Sequence, residues 1–128
     1  MADKSRIAIL VNDMFFAAKI RAAAQNAGRE VESVKSLEQA EKLADDPPSM
    51  IIVDLNSDRL DGVEVIGLLK SNPTLKATPI IGFLSHVQLD LKQAAKTAGC
   101  DYVIPRSMFS MKLPEIAGGD LSSLPKNG

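Results

Sequence analysis

Carboxylates are the residues of this sequence whose placement suits chemistry. Ser49-Met50-Ile51-Ile52-Val53-Asp54 is a β-branched, apolar run that stops abruptly on a charge. A buried parallel strand reads this way, and its C-terminal end delivers a side chain to a crevice. Ligands of open α/β sheets bind in that crevice, so Asp54 is the expected chemical centre. Asp13 closes an earlier apolar run, Ile7 to Val11, in the same manner. Two carboxylates brought together repel unless a proton or cation relieves them. With oxygen ligands alone on offer, a hard divalent cation such as Mg²⁺ is the usual solution. The ligands available are Asp13, Asp54 and a backbone carbonyl just past the strand, assigned to Asn56.

Other chemistries fit less well. Asp54, Asn56 and Asp58 alternate like a calcium loop, but the required glycine is Arg59 and the closing glutamate is Val65, so an EF-hand is excluded. An Asp-x-Asp nucleophile of the haloacid-dehalogenase type would need an aspartate where Asn56 stands. Cys100 is the only cysteine, which rules out a disulfide framework or a cysteine-based zinc site within one chain. No glycine-rich phosphate loop follows the first apolar run, where Asn12-Asp13-Met14-Phe15 stands, so a flavodoxin-like enzyme or nucleotide binder is disfavoured. His86, the only histidine, reads as a solvated loop imidazole. Asp61 is accounted for as a helix cap.

The elements that must position these residues follow from periodicity. The chain has 128 residues, 45% apolar and 24% charged, with a net charge of −1. That suits one globular domain over 1–128, with residues from about 119 onward as a frayed tail. It gives no long-range attraction to nucleic acid or membrane, and no segment is long enough to span a bilayer. The expected location is cytoplasmic. Strands are predicted at 7–11, 29–35, 50–54, 79–84 and 101–104. Helices are predicted from Met14 to Asn26, from the Ser36 capping box to about Ala44, from Asp61 to about Lys70, from Leu89 to Ala98 and from Met108 to Ala117. Pro114 must kink or split the last one. Alternating strands and helices imply a doubly wound, flavodoxin-like α/β fold with a five-stranded parallel sheet of order 2-1-3-4-5. The ends of strands one and three then become neighbours, so Asp13 and Asp54 should converge.

Over nearly its whole length the chain resembles the CheY-like receiver domain of bacterial response regulators. The carrying residues are Asn12-Asp13 after strand one, Asp54 ending strand three, Asp61-Gly62 seven residues later, and the apolar run Pro79-Ile80-Ile81 leading to the hydroxyl position at the end of strand four. Gly99-Cys100-Asp101-Tyr102 before strand five completes the set. The resemblance implies that Asp54 is a phosphoacceptor, served by a sensor histidine kinase, a phosphotransfer protein or a small phosphodonor. It implies Mg²⁺ on Asp13, Asp54 and Asn56. The phosphoryl-binding hydroxyl corresponds to Ser85, or to Leu84 if no residue is inserted. Ser85 and Tyr102 correspond to the switch pair. It further implies docking of a downstream protein on the surface of helix 4, strand 5 and helix 5, around Lys92, Lys96, Met108, Met111 and Lys112.

Three features depart from the family pattern. Asn12 replaces an acidic residue, the usual proline after Asp54 is absent, and the Lys-Pro pair after strand five is Pro105-Arg106. Losing the lysine forfeits roughly 4 kcal/mol of gross ion pairing at an effective dielectric near 20. Arg106 is the cation offered instead, with a planar fork that cannot be deprotonated. The sequence thus supports a stand-alone phosphorelay signalling module, not an enzyme. Its rival is a pseudo-receiver, a binding module on the same scaffold that is not phosphorylated.

Overall fold

A computed structural model describes residues 6–85 and 88–126; His86, and with it the reading of its imidazole, lies outside the described residues. Five strands, β1 (Arg6–Leu10), β2 (Glu30–Ser33), β3 (Met50–Asp54), β4 (Ile80–Leu84) and β5 (Tyr102–Pro105), form one sheet in the order β2-β1-β3-β4-β5. Every neighbouring pair is parallel. Among the described residues, six helices connect and cover them: α1 (Met14–Asn26), α2 (Leu37–Lys42, continued by a 3-10 turn at Leu43–Asp45), α3 (Gly62–Lys70), α4 (Leu89–Ala98), α5 (Arg106–Met111) and α6 (Leu113–Ala117). The expected doubly wound, flavodoxin-like architecture is therefore the observed one.

The central strands are buried on both faces because helices lie on both. Side chains alternate along a strand, so Met50 and Ile52 join Phe16, Ile20, Phe83 and Phe109 beneath α1, α5 and α6. Ile51 and Val53 join Val65, Ile66 and Leu69 beneath α2 to α4. β2 is an edge strand with Glu30 and Glu32 exposed. The same alternation carries one step further to Asp54, which falls on the α1/α5 side. There its strand neighbour in register is Phe83.

Helix ends follow the local chemistry read from the sequence. Asp13 accepts from the Phe15 and Phe16 N–H groups and Asp61 from those of Val63 and Glu64, capping α1 and α3. Ser36 accepts from Gln39 N–H, while the Gln39 amide oxygen accepts from Lys35 N–H instead of from the cap itself. Gly62 is required by contact: a Cβ there would lie 2.9 Å from a Val53 methyl carbon. Gly99 ends α4 at φ 109°, in the left-handed region.

The last helix differs from expectation. It starts at Arg106, two residues early, because Pro105 has extended geometry (φ −65°, ψ 150°) and serves as its N-cap. It splits at Lys112, leaving Pro114 in the first turn of α6, where a missing N–H costs no hydrogen bond. The segment after Gly119 is anchored at Leu124, which is buried in the α1/α5 core. No helix among the described residues is long and apolar enough to cross a membrane.

Candidate functional site

Asp54 sits at the C-terminal end of the sheet with a side chain only 7% exposed. One carboxylate oxygen, Oδ1, accepts the Asn56 N–H at 2.9 Å, an Asx turn that bends the chain out of β3. The other, Oδ2, faces the Arg106 guanidinium at 3.6 Å. Asp13 is arranged the same way across the crevice. Its Oδ1 takes the Phe15 and Phe16 N–H groups at 3.0 and 3.1 Å, and its Oδ2 lies 3.5 Å from Arg106. The two carboxylates do converge on one spot, as the strand order demands, and a single guanidinium stands between them.

Arg106 reaches this place because α5 begins immediately after β5, directing its first side chain back over the sheet ends. Its guanidinium carbon is 4.3 Å from the centroid of the Phe16 ring and 5.5 Å from that of Phe83. Those rings pack on each other and on Phe109 with centroids 4.8 to 5.7 Å apart. A planar cation stacks well on such a platform. The Arg106 Nε is buried and finds no hydrogen-bond partner among the described residues. Both ion pairs are longer than the 2.7–2.9 Å typical of charge-assisted hydrogen bonds, so the contact is electrostatic more than directional.

The surroundings push the two acids in opposite directions. Burial raises the Asp54 carboxyl above the ordinary aspartate value of 3.8, while the Asn56 N–H and the Arg106 charge hold it down and the Asp13 charge adds to the rise. The Phe16 N–H leads in lowering Asp13, assisted by Arg106 and the Phe15 N–H against the smaller opposing effect of burial.

The remaining sequence-predicted residues lie around this pair. Asn56 stitches two loops together: its Oδ1 accepts the Ser85 N–H at 2.6 Å, and its Nδ2 donates to Gln88 Oε1 at 2.6 Å. Ser85 is exposed and is tied into the site through its backbone. β4 pairs in continuous register, Phe83 beside Asp54 and Leu84 beside Pro105. Leu84 thus holds the last strand position, buried, and Ser85 is the first residue beyond it. Tyr102 is half-buried beside Ile81 at the start of β5, against the α1/α5 core. Pro105 is exposed at the strand end. A feature missed in the sequence is a cavity of about 430 Å³ adjoining Asp54, with Asn12, Arg21, Lys35 and Arg59 in its lining. Those three cations come from α1, the β2–α2 connection and the β3–α3 loop, and no spacing in the sequence links them.

Comparison with known proteins decides the family. The chain matches the family described as response regulator receiver domain over residues 7–118. It belongs to that family. Receiver domains are modules of two-component signalling that interact with histidine kinases or phosphotransfer proteins and generally bind Mg²⁺. Protein PilG of Pseudomonas aeruginosa is 30% identical over 83 residues, 65% of this chain and 62% of that protein, so the match spans less than two thirds of PilG. Among solved structures, the phosphorylated cyanobacterial phytochrome response regulator RcpA superposes with a TM-score of 0.75 at 24% identity, covering 99% of this chain and 100% of that one. Chemotaxis response regulator CheY4 of Vibrio cholerae gives 0.75 at 20% identity, covering 91% and 98%. The Mn²⁺-bound form of response regulator Rcp1 gives 0.73 at 17% identity, covering 97% and 99%.

In this receiver domain the donors for a divalent cation are chemically suitable. Asp13 Oδ2 and Asp54 Oδ2 are hard oxygens not committed to backbone N–H groups, and the Asn56 carbonyl is the third donor assigned from the sequence. Among the described residues no three His, Cys, Asp or Glu side chains gather into a metal cluster. The cation that faces both oxygens is Arg106.

Proposed function

We propose that this chain is an atypical receiver that accepts a phosphoryl group on Asp54 and signals through protein contacts. The observation that carries the reading is the buried Asp54 carboxylate, opposed by a guanidinium and beside a second acid at the end of the central strand. An Asp54 oxygen attacks the phosphorus of a phosphohistidine or acyl phosphate donor. The donor's P–N or P–O bond breaks, its electron pair leaves with the departing group, and an acyl phosphate remains on Asp54. Arg106 receives charge developing on the phosphoryl oxygens without a proton transfer, because a guanidinium stays charged.

Asp13, Asp54 and the Asn56 carbonyl are the residues that would hold Mg²⁺, which when bound supplies further charge neutralisation at the phosphoryl oxygens. Arg21, Lys35 and Arg59 around the adjoining cavity favour approach of an anionic donor. The Ser85 hydroxyl, one residue past the strand end, contacts the phosphoryl group, with Tyr102 as the switch residue. A downstream protein docks on α4, β5 and α5, where Met111 is 71% exposed and Lys96 is exposed.

A second reading has its own observation. Pro105 stands at the end of β5 where the family has lysine, and Leu84 fills the last position of β4, so neither supplies a polar contact to a phosphoryl group. A pseudo-receiver would use the same docking surface independently of Asp54. Incubation with Mg²⁺ and acetyl phosphate, followed by intact mass, separates the two. The phosphoacceptor reading requires one added phosphoryl group on the native chain and none on Asp54→Asn. An unchanged native mass supports the pseudo-receiver.

A further inference from the structure

We infer that Arg106 is a tethered cation that competes with divalent metal for Asp13 and Asp54, so that the guanidinium and not a metal ion faces the two acids at physiological Mg²⁺. Each acid spends its Oδ1 on backbone N–H groups, Asp13 on Phe15 and Phe16 and Asp54 on Asn56. Each has one oxygen left facing the crevice, and both remaining oxygens face the same guanidinium, at 3.5 and 3.6 Å. A metal ion held by both acids would draw first on those same two oxygens, the ones not engaged by backbone N–H groups.

Arg106 is well placed to keep them. It is anchored at the first turn of α5 and lies on the Phe16 and Phe83 rings, so its guanidinium is presented without a large loss of side-chain freedom. A lysine point charge could retract or share the acids with a metal, whereas the planar fork spans both. Metal entry therefore requires the guanidinium to leave its aromatic platform, and the cost appears as weaker metal affinity. The neutral Asn12 removes one more negative charge that would have drawn the metal in.

The inference rests on Asp13 and Asp54 being the cation-facing pair and is independent of phosphotransfer. Its test uses metal alone. Mg²⁺ and Mn²⁺ are titrated by calorimetry into the full chain, into Arg106→Met, which keeps an apolar stem on the rings, and into Arg106→Met combined with Asp54→Asn. Thermal melts with Mg²⁺ are compared with melts in NaCl of matched ionic strength. Arg106→Met is expected to bind at least tenfold more tightly than the native chain and to gain a Mg²⁺-dependent rise in Tm, both lost in the double variant. Equal affinity in native chain and Arg106→Met overturns the inference. A second measurement needs no variant: in arginine side-chain NMR of the native chain, saturating Mg²⁺ must shift the Arg106 Nε–H resonance. Metal binding that leaves that resonance unmoved also overturns it.

Discussion

Replacing Asp54 by asparagine should stabilise this protein at neutral pH, although it deletes an ion pair. Burial raises the Asp54 carboxyl above the ordinary value of 3.8, outweighing the Asn56 N–H and Arg106. The native state therefore holds this proton more tightly than the unfolded chain does. As pH rises through the window from 3.8 to the raised native value, the native state is the one binding more protons, so stability falls. Above that window the penalty is fully present, and Asp54→Asn removes it. Below about pH 3.8 both states are protonated and the advantage disappears.

The share borne by Arg106 can be sized from the 3.6 Å separation. Two unit charges there attract by about 5 kcal/mol at an effective dielectric near 20. Arg106 is 30% exposed, so solvent screening reduces the coupling to about 1–2 kcal/mol. Arg106→Met should cost that much more in the native background than alongside Asp54→Asn. The assay is urea denaturation followed by far-UV circular dichroism for the four proteins of this cycle, from about pH 4 to about pH 8. Lower stability of Asp54→Asn at neutral pH, or a gap between the curves that does not change with pH, would refute the reasoning.

Two further outcomes concern the opposite end of the sheet and the core. Lys70 Nζ lies 2.9 Å from Asp101 Oδ2 and donates to the Lys76 and Thr78 carbonyls at 2.9 and 3.0 Å, with its side chain only 14% exposed. Lys70→Met should cost about 2 kcal/mol, visible as a lower urea midpoint, since Asp101 keeps the Ile80 N–H as a partner. Burial pushes the Cys100 thiol up to about 12, so iodoacetamide at mildly alkaline pH should leave the native chain unmodified and label it only after unfolding. Rapid native-state labelling would show that the β4–β5 region opens more readily than its packing implies.

Much of the site was legible because the signals are local. A β-branched run ending on Asp54 identifies a strand end, and acidic residues preceding Phe15-Phe16 and Gly62-Val63 identify helix caps. Gly99 marks a stop that only a left-handed backbone satisfies. Alternation of strands and helices then implies a parallel sheet, and the crossover rule orders it so that Asp13 and Asp54 meet. Each inference uses a period of two or of 3.6 residues, or a hydrogen bond spanning a few residues.

What the sequence left open depends on contacts between distant elements. Whether Ser85 or Leu84 ends β4 is a matter of register, decided when Asp54 paired with Phe83 and Leu84 with Pro105. α5 starts two residues before its predicted position because Pro105 caps it through backbone geometry, a role no capping side chain announces. The cavity cations Arg21, Lys35 and Arg59 belong to three separate segments.

Arg106 is the clearest instance. In the sequence it is a basic residue following a proline, equally able to point into the crevice or into solvent. Its direction was decided by two acids more than fifty and ninety residues away and by aromatic rings contributed by α1 and β4. Periodicity and helix caps are short-range physics, and they were enough to define the sheet and to place an acid at the end of its central strand. Which cation answers that acid is settled by side chains that meet after the chain has folded.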